Sequence, residues 1–174
     1  MIDKLVKSAI TWTVGAYVWD VLVIPAQVAR EARAAAHTFG GPLLNVGAGT
    51  PGSSLRVALF GPTLWGDCNV DIAAPRDVTH GPDRVSYGDA LNLPFVDNQF
   101  GAVIASHIVE HVEDPHAAVV EMQRVSRGPI YIIVPKWWNP VTWLYDDHRW
   151  YISQRGRVYA LWPKKQRAIT QRTV

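Results

Sequence analysis

The chain has 174 residues, of which 48% are hydrophobic and 18% charged, and its formal net charge is +2. This length suits one globular domain, and this balance excludes a disordered chain. The small, scattered basic excess lacks the clustered stripe of nucleic-acid-binding proteins, so we expect no nucleic-acid partner. A single cysteine, Cys68, excludes an internal disulfide framework and a cysteine-rich metal site, which indicates a reducing, cytoplasmic setting.

An apolar stretch at residues 8–29 dominates the N-terminal segment, which we assign as residues 1–38 and predict to be helical. Asp20 interrupts the stretch and Pro25 would kink a helix, which disfavours a helix that spans a membrane. Two alternatives rank ahead of a span: a helix packed on the domain, and a helix lying at a membrane surface. The second alternative makes a membrane surface a candidate partner and a peripheral membrane location a second expectation.

The rest of the chain, residues 39–174, alternates short apolar runs with helix-forming segments. This alternation predicts an α/β fold with a doubly wound, mostly parallel sheet. Asp114 and Pro115 predict a helix start, because aspartate caps helices and proline is tolerated at the first position. We expect this helix to end near residue 127, before Gly128. The other predicted elements are strands at 43–46, 69–72, 84–87, 100–106 and 130–134, and a short helix at 53–60.

Two further predictions concern the last strand of this series and the tail. The strand at 130–134 is apolar throughout, which is typical of a strand covered on both faces. Segments 157–162 and 167–173 can pair as an antiparallel hairpin that adds two strands at the sheet edge. The alternative is a loose tail.

The first chemical motif is a glycine loop at residues 47–52, after the first predicted strand. Glycines let the backbone turn tightly and approach a ligand closely, although a plain structural turn has the same pattern. Asp71 stands at the end of the next strand, where its carboxylate can accept hydrogen bonds from both hydroxyls of a ribose. The nucleotide-binding fold places an acid about 20 residues beyond its glycine loop. The alternative for Asp71 is a surface aspartate at a strand end.

A second acidic motif, Gly88-Asp89-Ala90, follows the third predicted strand. Asp89 can accept a hydrogen bond from an exocyclic amine, and the neighbouring backbone N–H can donate to a ring nitrogen. Together these groups would recognise an adenine. The alternative is that Asp89 forms a helix cap or an Asx turn.

Five segments between Leu43 and Pro135 carry a family resemblance: LLNVGAGT, NVDI, GDALNLPFVDNQF, SHIVEHVEDPHAAVVEMQRVSRG and YIIVP. In this order and spacing they resemble the class I S-adenosylmethionine-dependent methyltransferases. The likeness is greatest to the small-molecule branch typified by ubiquinone and menaquinone biosynthesis enzymes. The glycine loop alone is unspecific, whereas the GDALNLPF and SHIVEHVEDP segments together are specific.

The resemblance implies a compact, Rossmann-like fold with S-adenosylmethionine as the cofactor. It implies that Gly47, Ala48 and Gly49 pass under the methionine part and that Asp71 holds the ribose. Asp89 and Ala90 would hold the adenine, and Ser106 and His107 would close over the sulfonium. The full predicted cofactor-binding set is Asn45, Gly47, Ala48, Gly49, Asp71, Ile72, Asp89, Ala90, Leu91, Ser106 and His107.

Several positions depart from the family pattern. Asn45 stands where an acid usually begins the glycine motif, and Pro51 and Gly52 replace a tighter glycine spacing. Gly101 follows Phe100 where an aspartate is common. These departures favour a second hypothesis, in which the protein keeps the fold and the cofactor but has lost turnover.

Methyl transfer needs alignment and exclusion of water more than a universal catalytic residue. If the acceptor is a hydroxyl or an acidic carbon, a base helps, and His107 and His111 are the candidates. Structural histidines are the alternative. Two histidines four residues apart are also typical of a metal pair, but no third ligand is evident, so we predict no metal. His148, beside two aspartates, is a further candidate base.

The aromatic stretch at 136–151 would form the substrate side, either as a pocket for a flat or greasy molecule or as core. We therefore predict a methyltransferase that acts on a small, lipid-like or aromatic molecule. The cofactor-binding protein without turnover is the alternative. An NAD-dependent oxidoreductase is less favoured, because the acid after the third strand and the SHIVEHV segment argue against it.

Overall fold

In a computed structural model of the chain, the described residues are 23–50, 66–79, 81, 84–136, 147–155 and 158–163, with single positions at 12, 15, 18 and 19. They form two helices and seven strands in these ranges. The order is α1 (Ile24–Thr38), β1 (Leu43–Val46), β2 (Cys68–Asp71), β3 (Ser86–Tyr87), β4 (Ala102–Ser106), α2 (Pro115–Val125), β5 (Ile130–Ile133), β6 (Trp150–Arg155) and β7 (Val158–Pro163).

The first five strands form one parallel sheet in the order β3-β2-β1-β4-β5. The chain moves outward from β1 through β2 to β3 and then returns to the other side of β1 with β4. Ligands of open α/β sheets bind outside the carboxyl ends of the strands, at the point where the strand order reverses. In this sheet the reversal lies between β1 and β4. The predicted α/β fold with a doubly wound, parallel sheet is confirmed.

The two helices cover opposite faces of the sheet, because alternate residues of a strand point to opposite sides. Leu43, Ala102 and Ile104 pack against α1. Leu44, Val46 and the other alternate positions pack against α2, where Met122 is fully buried. α1 contacts the sheet through three small buried residues, Ala29, Ala32 and Ala36. The neighbouring strands β1 and β4 are both buried along their whole length.

The helix ends follow the predicted signals. α1 has Pro25 in its first turn and ends at Thr38, the predicted end of the N-terminal helical segment. α2 begins after Asp114, whose carboxylate oxygen accepts a hydrogen bond from the Ala117 N–H at 3.0 Å, as a capping aspartate should. It ends at Val125, slightly earlier than predicted, because Ser126 turns to an extended conformation and bridges to Phe100. Among the described residues, no helix is long and apolar enough to cross a membrane.

Two predictions about the later strands need correction. β5 is only partly buried along most of its length, because it lies at the edge of the sheet that the described strands form. A hairpin is present, but it joins β6 to β7, which make a separate two-stranded antiparallel sheet and do not extend the main one. Its second strand is the segment predicted as the first, so its partner precedes it in sequence. The predicted strand at 167–173 and the helix at 53–60 lie outside the described residues.

Candidate functional site

The predicted site residues collect along one edge of the sheet. Gly47, Asp89 and His107 lie in the segments that follow β1, β3 and β4, and Asp71 is the last residue of β2; these four strands are direct neighbours. Because parallel strands all end on the same side, their following loops share the carboxyl edge. The topology therefore brings together residues that are far apart in the sequence.

The turn after β1 depends on glycine. Gly47 and Gly49 adopt positive φ angles of 73° and 71°, a region that glycine occupies without steric cost. A Cβ atom on Gly47 would also lie 2.6 Å from Cδ1 of Ile108, in the segment after β4. The N–H groups of Gly47 and Ala48 both donate to the Val70 carbonyl, at 2.8 and 3.0 Å, which folds the turn over the end of β2.

Asp71 fastens this turn at the tip of β2. Its Oδ2 accepts a hydrogen bond from the Gly49 N–H at 2.9 Å, and its Oδ1 accepts one from the Ala73 N–H at 2.9 Å. A carboxylate has about four acceptor positions, so these two bonds leave capacity for a ligand. Ile72, the next residue, exposes 63% of its surface beside the acid.

Asp89 forms the Asx turn that was the alternative expectation. Its Oδ1 accepts from the Leu91 N–H at 2.9 Å, and its carbonyl accepts from the Asn92 N–H at 2.9 Å. Ala90 is buried and Leu91 is half-buried. The turn and a contact with adenine are compatible, because the carboxylate has further acceptor positions. The adenine contact itself stays a prediction.

Asn45 is buried in the sheet. Its Nδ2 donates to Oδ1 of Asn69 at 3.4 Å, across the register pair that joins β1 to β2. Asn69 is fully buried and also bonds the backbone of Gly66, with its Oδ1 accepting at 2.8 Å and its Nδ2 donating at 3.1 Å. Sequence reasoning missed Asn69, although an amide within an apolar strand was the available signal. The predicted contact of Asn45 with the cofactor stays a prediction beside this packing role.

The end of β4 carries Ser106, which is buried, and His107, which is partly exposed. His107 adopts a positive φ of 56°, which is uncommon for a residue with a side chain and costs on the order of 1–3 kcal/mol. A hydrogen bond from its N–H to the Ile133 carbonyl, 2.8 Å long, holds it there. The histidine therefore sits on a turn that is fixed by β5.

Glu110 is the most deeply buried acid beside this turn, with 1% of its side chain exposed. Its Oε1 lies 3.5 Å from Nδ1 of His107 and 4.0 Å from Nε2 of His111. Both distances exceed a hydrogen bond, and neither carboxylate oxygen has a hydrogen-bond partner within the described part of the chain. His111 also approaches Asp147, whose Oδ2 lies 3.4 Å from its Nδ1.

The segment before β6 completes this cluster. The His148 ring lies edge-on to His111, with 4.7 Å between the ring centroids. The Arg149 and Trp150 N–H groups donate to the Glu110 carbonyl at 2.8 and 3.2 Å, which holds the segment against the loop after β4. Glu110, His111 and His148 offer ligand atoms within 4.8 Å of one another. This group differs from the histidine pair considered in the sequence, because it contains His111 but not His107, so the expectation of no metal stays a prediction.

Trp150 is the tryptophan of the aromatic stretch at 136–151 that lies within the described residues, so its environment bears on the choice between a substrate pocket and core. It is half-buried, packs against the main core and donates through Nε1 to the Val112 carbonyl at 3.0 Å. It thus belongs to the core alternative. The other tryptophans of the stretch, Trp137, Trp138 and Trp143, lie outside the described residues.

A family profile described as "Methyltransferase domain" matches residues 44–132, which is more than half of the chain. The chain belongs to the class I S-adenosylmethionine-dependent methyltransferase family. The matched region runs from β1 into β5 and contains three of the five segments that carry the resemblance in full and the first and last of them in part. The five-stranded parallel sheet agrees with that assignment.

Several curated methyltransferases are similar to this family member over part of their length. Ajmaline N-methyltransferase of Rauvolfia serpentina is 32% identical over 100 residues, covering 53% of this chain and 34% of the relative. Demethylmenaquinone methyltransferase of Paenarthrobacter aurescens is 37% identical over 60 residues, covering 34% and 24%. A probable chloroplastic tocopherol O-methyltransferase of Oryza sativa subsp. japonica is 33% identical over 103 residues, covering 55% and 28%. The chain spans about a third or less of these relatives.

In this methyltransferase-family chain, α2 holds the segment that follows Asp89. Arg124 donates to the carbonyls of Leu93 and Phe95, at 3.2 and 2.9 Å, and pairs with Glu121 at 2.7 Å. Glu121 in turn accepts from the Leu93 N–H at 2.8 Å. The hydrogen bond from Arg124 lowers the pKa of Glu121, against the opposing effect of burial. This ion pair links the loop after β3 to the helix on the sheet face.

Proposed function

We propose that this chain binds S-adenosylmethionine along the carboxyl edge of β3, β2, β1 and β4 and transfers its methyl group to a small molecule. One observation carries the proposal. The predicted adenine, ribose, methionine and sulfonium contacts follow strands that are neighbours in that same order. Strands about 4.8 Å apart spread these contacts over roughly 14 Å, so the order suits one extended nucleoside with an amino-acid arm.

The residues after β1 and β2 fit the methionine and ribose parts. Gly47 and Gly49 keep the turn free of side chains, so the backbone at Ala48 can approach a ligand closely. Asp71 uses one acceptor position on each oxygen for the backbone. Its remaining positions can take two ribose hydroxyls in charge-assisted hydrogen bonds. The same carboxylate would shape the loop and hold the sugar.

The residues beyond β3 fit the adenine. Asp89 lies in a rigid turn with acceptor capacity left, and Ala90 is a small buried neighbour. Ile72, exposed at the tip of β2, and the half-buried Leu91 offer apolar surface for the faces of the ring. Burying such surface against a base is favourable, at about 25 cal/mol per Å². Asn45 remains in the proposed set through its position one residue before the end of β1.

Ser106 and His107 would complete the site at the end of β4. When bound, the sulfonium would supply an activated methyl group, and sulfur would keep the electron pair of the S–CH₃ bond as the acceptor takes the methyl. The protein aligns the acceptor and excludes water. For a hydroxyl or acidic-carbon acceptor, we assign His107 as the base, because it directly follows β4, where the sulfonium is proposed to lie. His111 is the second candidate.

The acceptor class rests on two supports. The similar proteins are named for ajmaline, norajmaline, demethylmenaquinone and tocopherol, all of them small molecules. The N-terminal segment exposes large apolar side chains, with Trp12 56%, Trp19 57% and Val23 37% exposed. Their spacing places them on one helical face. We infer a lipid-like or aromatic acceptor, and a cytoplasmic protein that contacts a membrane surface through residues 8–29.

A lipid flotation assay tests the membrane contact. The chain should float with anionic vesicles, and Trp19→Ala should reduce the bound fraction, because it removes a large exposed apolar side chain. Phe39→Ala is the matched control, since Phe39 is 47% exposed at the opposite end of α1. A chain that stays unbound, or equal losses in both variants, would contradict the contact.

Calorimetry with S-adenosylmethionine and with NAD tests the cofactor, and a methyl-transfer assay on a metabolite panel tests turnover. Binding of S-adenosylmethionine with methylation of an acceptor is the expected result. Tight NAD binding without S-adenosylmethionine binding would overturn it. The second candidate, a cofactor-binding protein without turnover, is favoured by the amide at Asn45, which is buried against Asn69. Binding without methylation of any panel member would support that candidate.

A further inference from the structure

We propose that Glu110, His111 and His148 bind a divalent transition-metal ion. The site joins the loop after β4 to the segment before β6. The proposal does not rest on the methyl transfer proposed above, because none of its arguments uses the cofactor. It rests on a buried carboxylate, a matched set of donors and a carboxylate that orients one of the imidazoles.

The carboxylate of Glu110 is the first argument. Its side chain is 1% exposed, and neither oxygen has a hydrogen-bond partner in the described part of the chain. A buried charge is costly unless it is paired and hydrogen-bonded or coordinates a metal. Nδ1 of His107 and Nε2 of His111 lie 3.5 and 4.0 Å from Oε1 of Glu110, beyond hydrogen-bond length. A cation between these groups would satisfy the carboxylate.

The donor set is the second argument. One carboxylate oxygen and two imidazole nitrogens lie within 4.8 Å of one another. In a tetrahedral site with metal–ligand distances of about 2.0–2.2 Å, ligand atoms stand roughly 3.3–3.6 Å apart. Small side-chain rotations would close the remaining gap. Two histidines and a glutamate are a donor set of zinc sites that keep a fourth position open for water.

The surroundings of His111 are the third argument. Its Nδ1 lies 3.4 Å from Oδ2 of Asp147, while its Nε2 faces Glu110 at 4.0 Å. Metal-binding histidines commonly direct the other ring nitrogen to a carboxylate or a carbonyl, which fixes the ring and raises its basicity. The Asp147 carbonyl, 3.3 Å from the same Nδ1, adds a second partner of this kind. His111 therefore has Nε2 left for a metal.

The backbone presents these ligands from fixed positions. The His111 N–H donates to the Ile108 carbonyl at 2.9 Å, and the Glu110 carbonyl accepts from Arg149 and Trp150. A metal at this place would cross-link two segments that are far apart in sequence. It would also remove His111 as a free base, since a coordinated imidazole cannot accept a proton at the same nitrogen. His107 would then be the remaining candidate base at this end of β4.

Titration of the full, metal-stripped chain with Zn²⁺ tests the site. We expect one Zn²⁺ to bind the unaltered protein, with at least tenfold weaker binding in Glu110→Gln and in His111→Ala. His37→Ala is the matched control, because His37 is exposed near the C-terminal end of α1, before β1 begins and thus at the opposite edge of the sheet. Its binding should equal that of the unaltered chain. Replacing Zn²⁺ by Co²⁺ should give visible absorption bands that both ligand variants lose.

Thermal unfolding with and without Zn²⁺ keeps the test valid if one variant folds poorly. Zn²⁺ should raise the Tm of the unaltered chain and of His37→Ala, because a ligand that binds the folded state stabilises it. It should leave the Tm of His111→Ala unchanged; with 32% of its side chain exposed, His111 is far less buried than Glu110 at 1%. No Zn²⁺ binding, or equal binding in all variants, would overturn the proposal. S-adenosylmethionine binding to the metal-free chain, measured separately, distinguishes this failure from failure of the proposed function.

Discussion

The carboxylates at the ends of β2 and β3 differ in their hydrogen bonding from the carboxylate in the loop after β4. Asp71 and Asp89 each accept backbone N–H groups at 2.9 Å, and those bonds shape the turns in which they lie. Glu110 is more deeply buried and accepts none within the described residues. A carboxylate that is satisfied by its own backbone indicates a pre-organised loop. A buried carboxylate that is not satisfied in this way favours a bound cation, which is why different ligands are proposed for the two regions.

The largest expected effect lies in the turn after β1. Gly47→Ala should cost about 2–5 kcal/mol of stability, because a side chain at positive φ costs roughly 1–2 and the overlap with Ile108 about 1–3 more. Cofactor affinity should fall with it. Gly40→Ala is the control, since Gly40 has a similar φ of 66° but nothing within 4 Å of its added Cβ. It should cost only the backbone penalty. Urea unfolding measures the stability of both variants, and calorimetry measures their cofactor affinity. Equal losses of stability in Gly47→Ala and Gly40→Ala would refute the role of the overlap.

The next effect tests whether Asp71 serves both the loop and the cofactor. Asp71→Ala should weaken S-adenosylmethionine binding by about 1–3 kcal/mol, and Asp71→Asn by less, because the amide keeps one acceptor for the backbone. Asp67→Asn provides the contrast. Asp67 also accepts a backbone N–H, from Leu43 at 2.8 Å, but at the amino edge of the sheet. The Asp67→Asn substitution should change the stability of the fold and leave the S-adenosylmethionine affinity unchanged. Equal losses of S-adenosylmethionine affinity in Asp71→Asn and Asp67→Asn, measured by calorimetry, would contradict a role of Asp71 in binding the ribose.

A smaller effect concerns the ion pair between α2 and the loop after β3. The hydrogen bond from Arg124 lowers the pKa of Glu121 below its ordinary value of about 4.5. The charged form is therefore favoured by folding, so its stabilisation is present above pH 4.5 and is lost as the pH falls through the lowered pKa. Glu121→Gln should be less stable than the unaltered chain at neutral pH, and the difference should shrink in acid. A difference that is constant between pH 7 and pH 3 would contradict the pairing.

The smallest effect is a reactivity at the start of β2. Burial, with a lesser contribution from Asp67, raises the pKa of the Cys68 thiol to about 11. The thiolate is the reactive form, so alkylation at pH 8 should be roughly 100-fold slower than in the urea-unfolded chain. Rapid labelling of the folded chain would mean that β2 opens readily and that Asp71, at the end of β2, is not held in a stable strand.

Sequence reasoning succeeded where a signal lies within a few neighbouring residues. Alternating apolar runs predicted the parallel sheet, and Asp114 with Pro115 predicted the start of α2. The ordered motifs from Leu43 to Pro135 were enough to indicate the family. A hairpin was predicted in this part of the chain, but β7 pairs with β6, which was not predicted, and the predicted partner at 167–173 lies outside the described residues. Strand propensity alone does not choose between two partners.

What the sequence by itself determined is the order of the elements, the family and the residues that approach the carboxyl edge. Local propensity and motif spacing are properties of short segments, so they can be read without a fold. Only the tertiary structure decided that β5 is half-buried, that Asn45 pairs with Asn69, and that Asp71 fastens the glycine turn. It alone brought His148 beside Glu110 and His111. Those contacts join segments distant in sequence, and packing in three dimensions determines them.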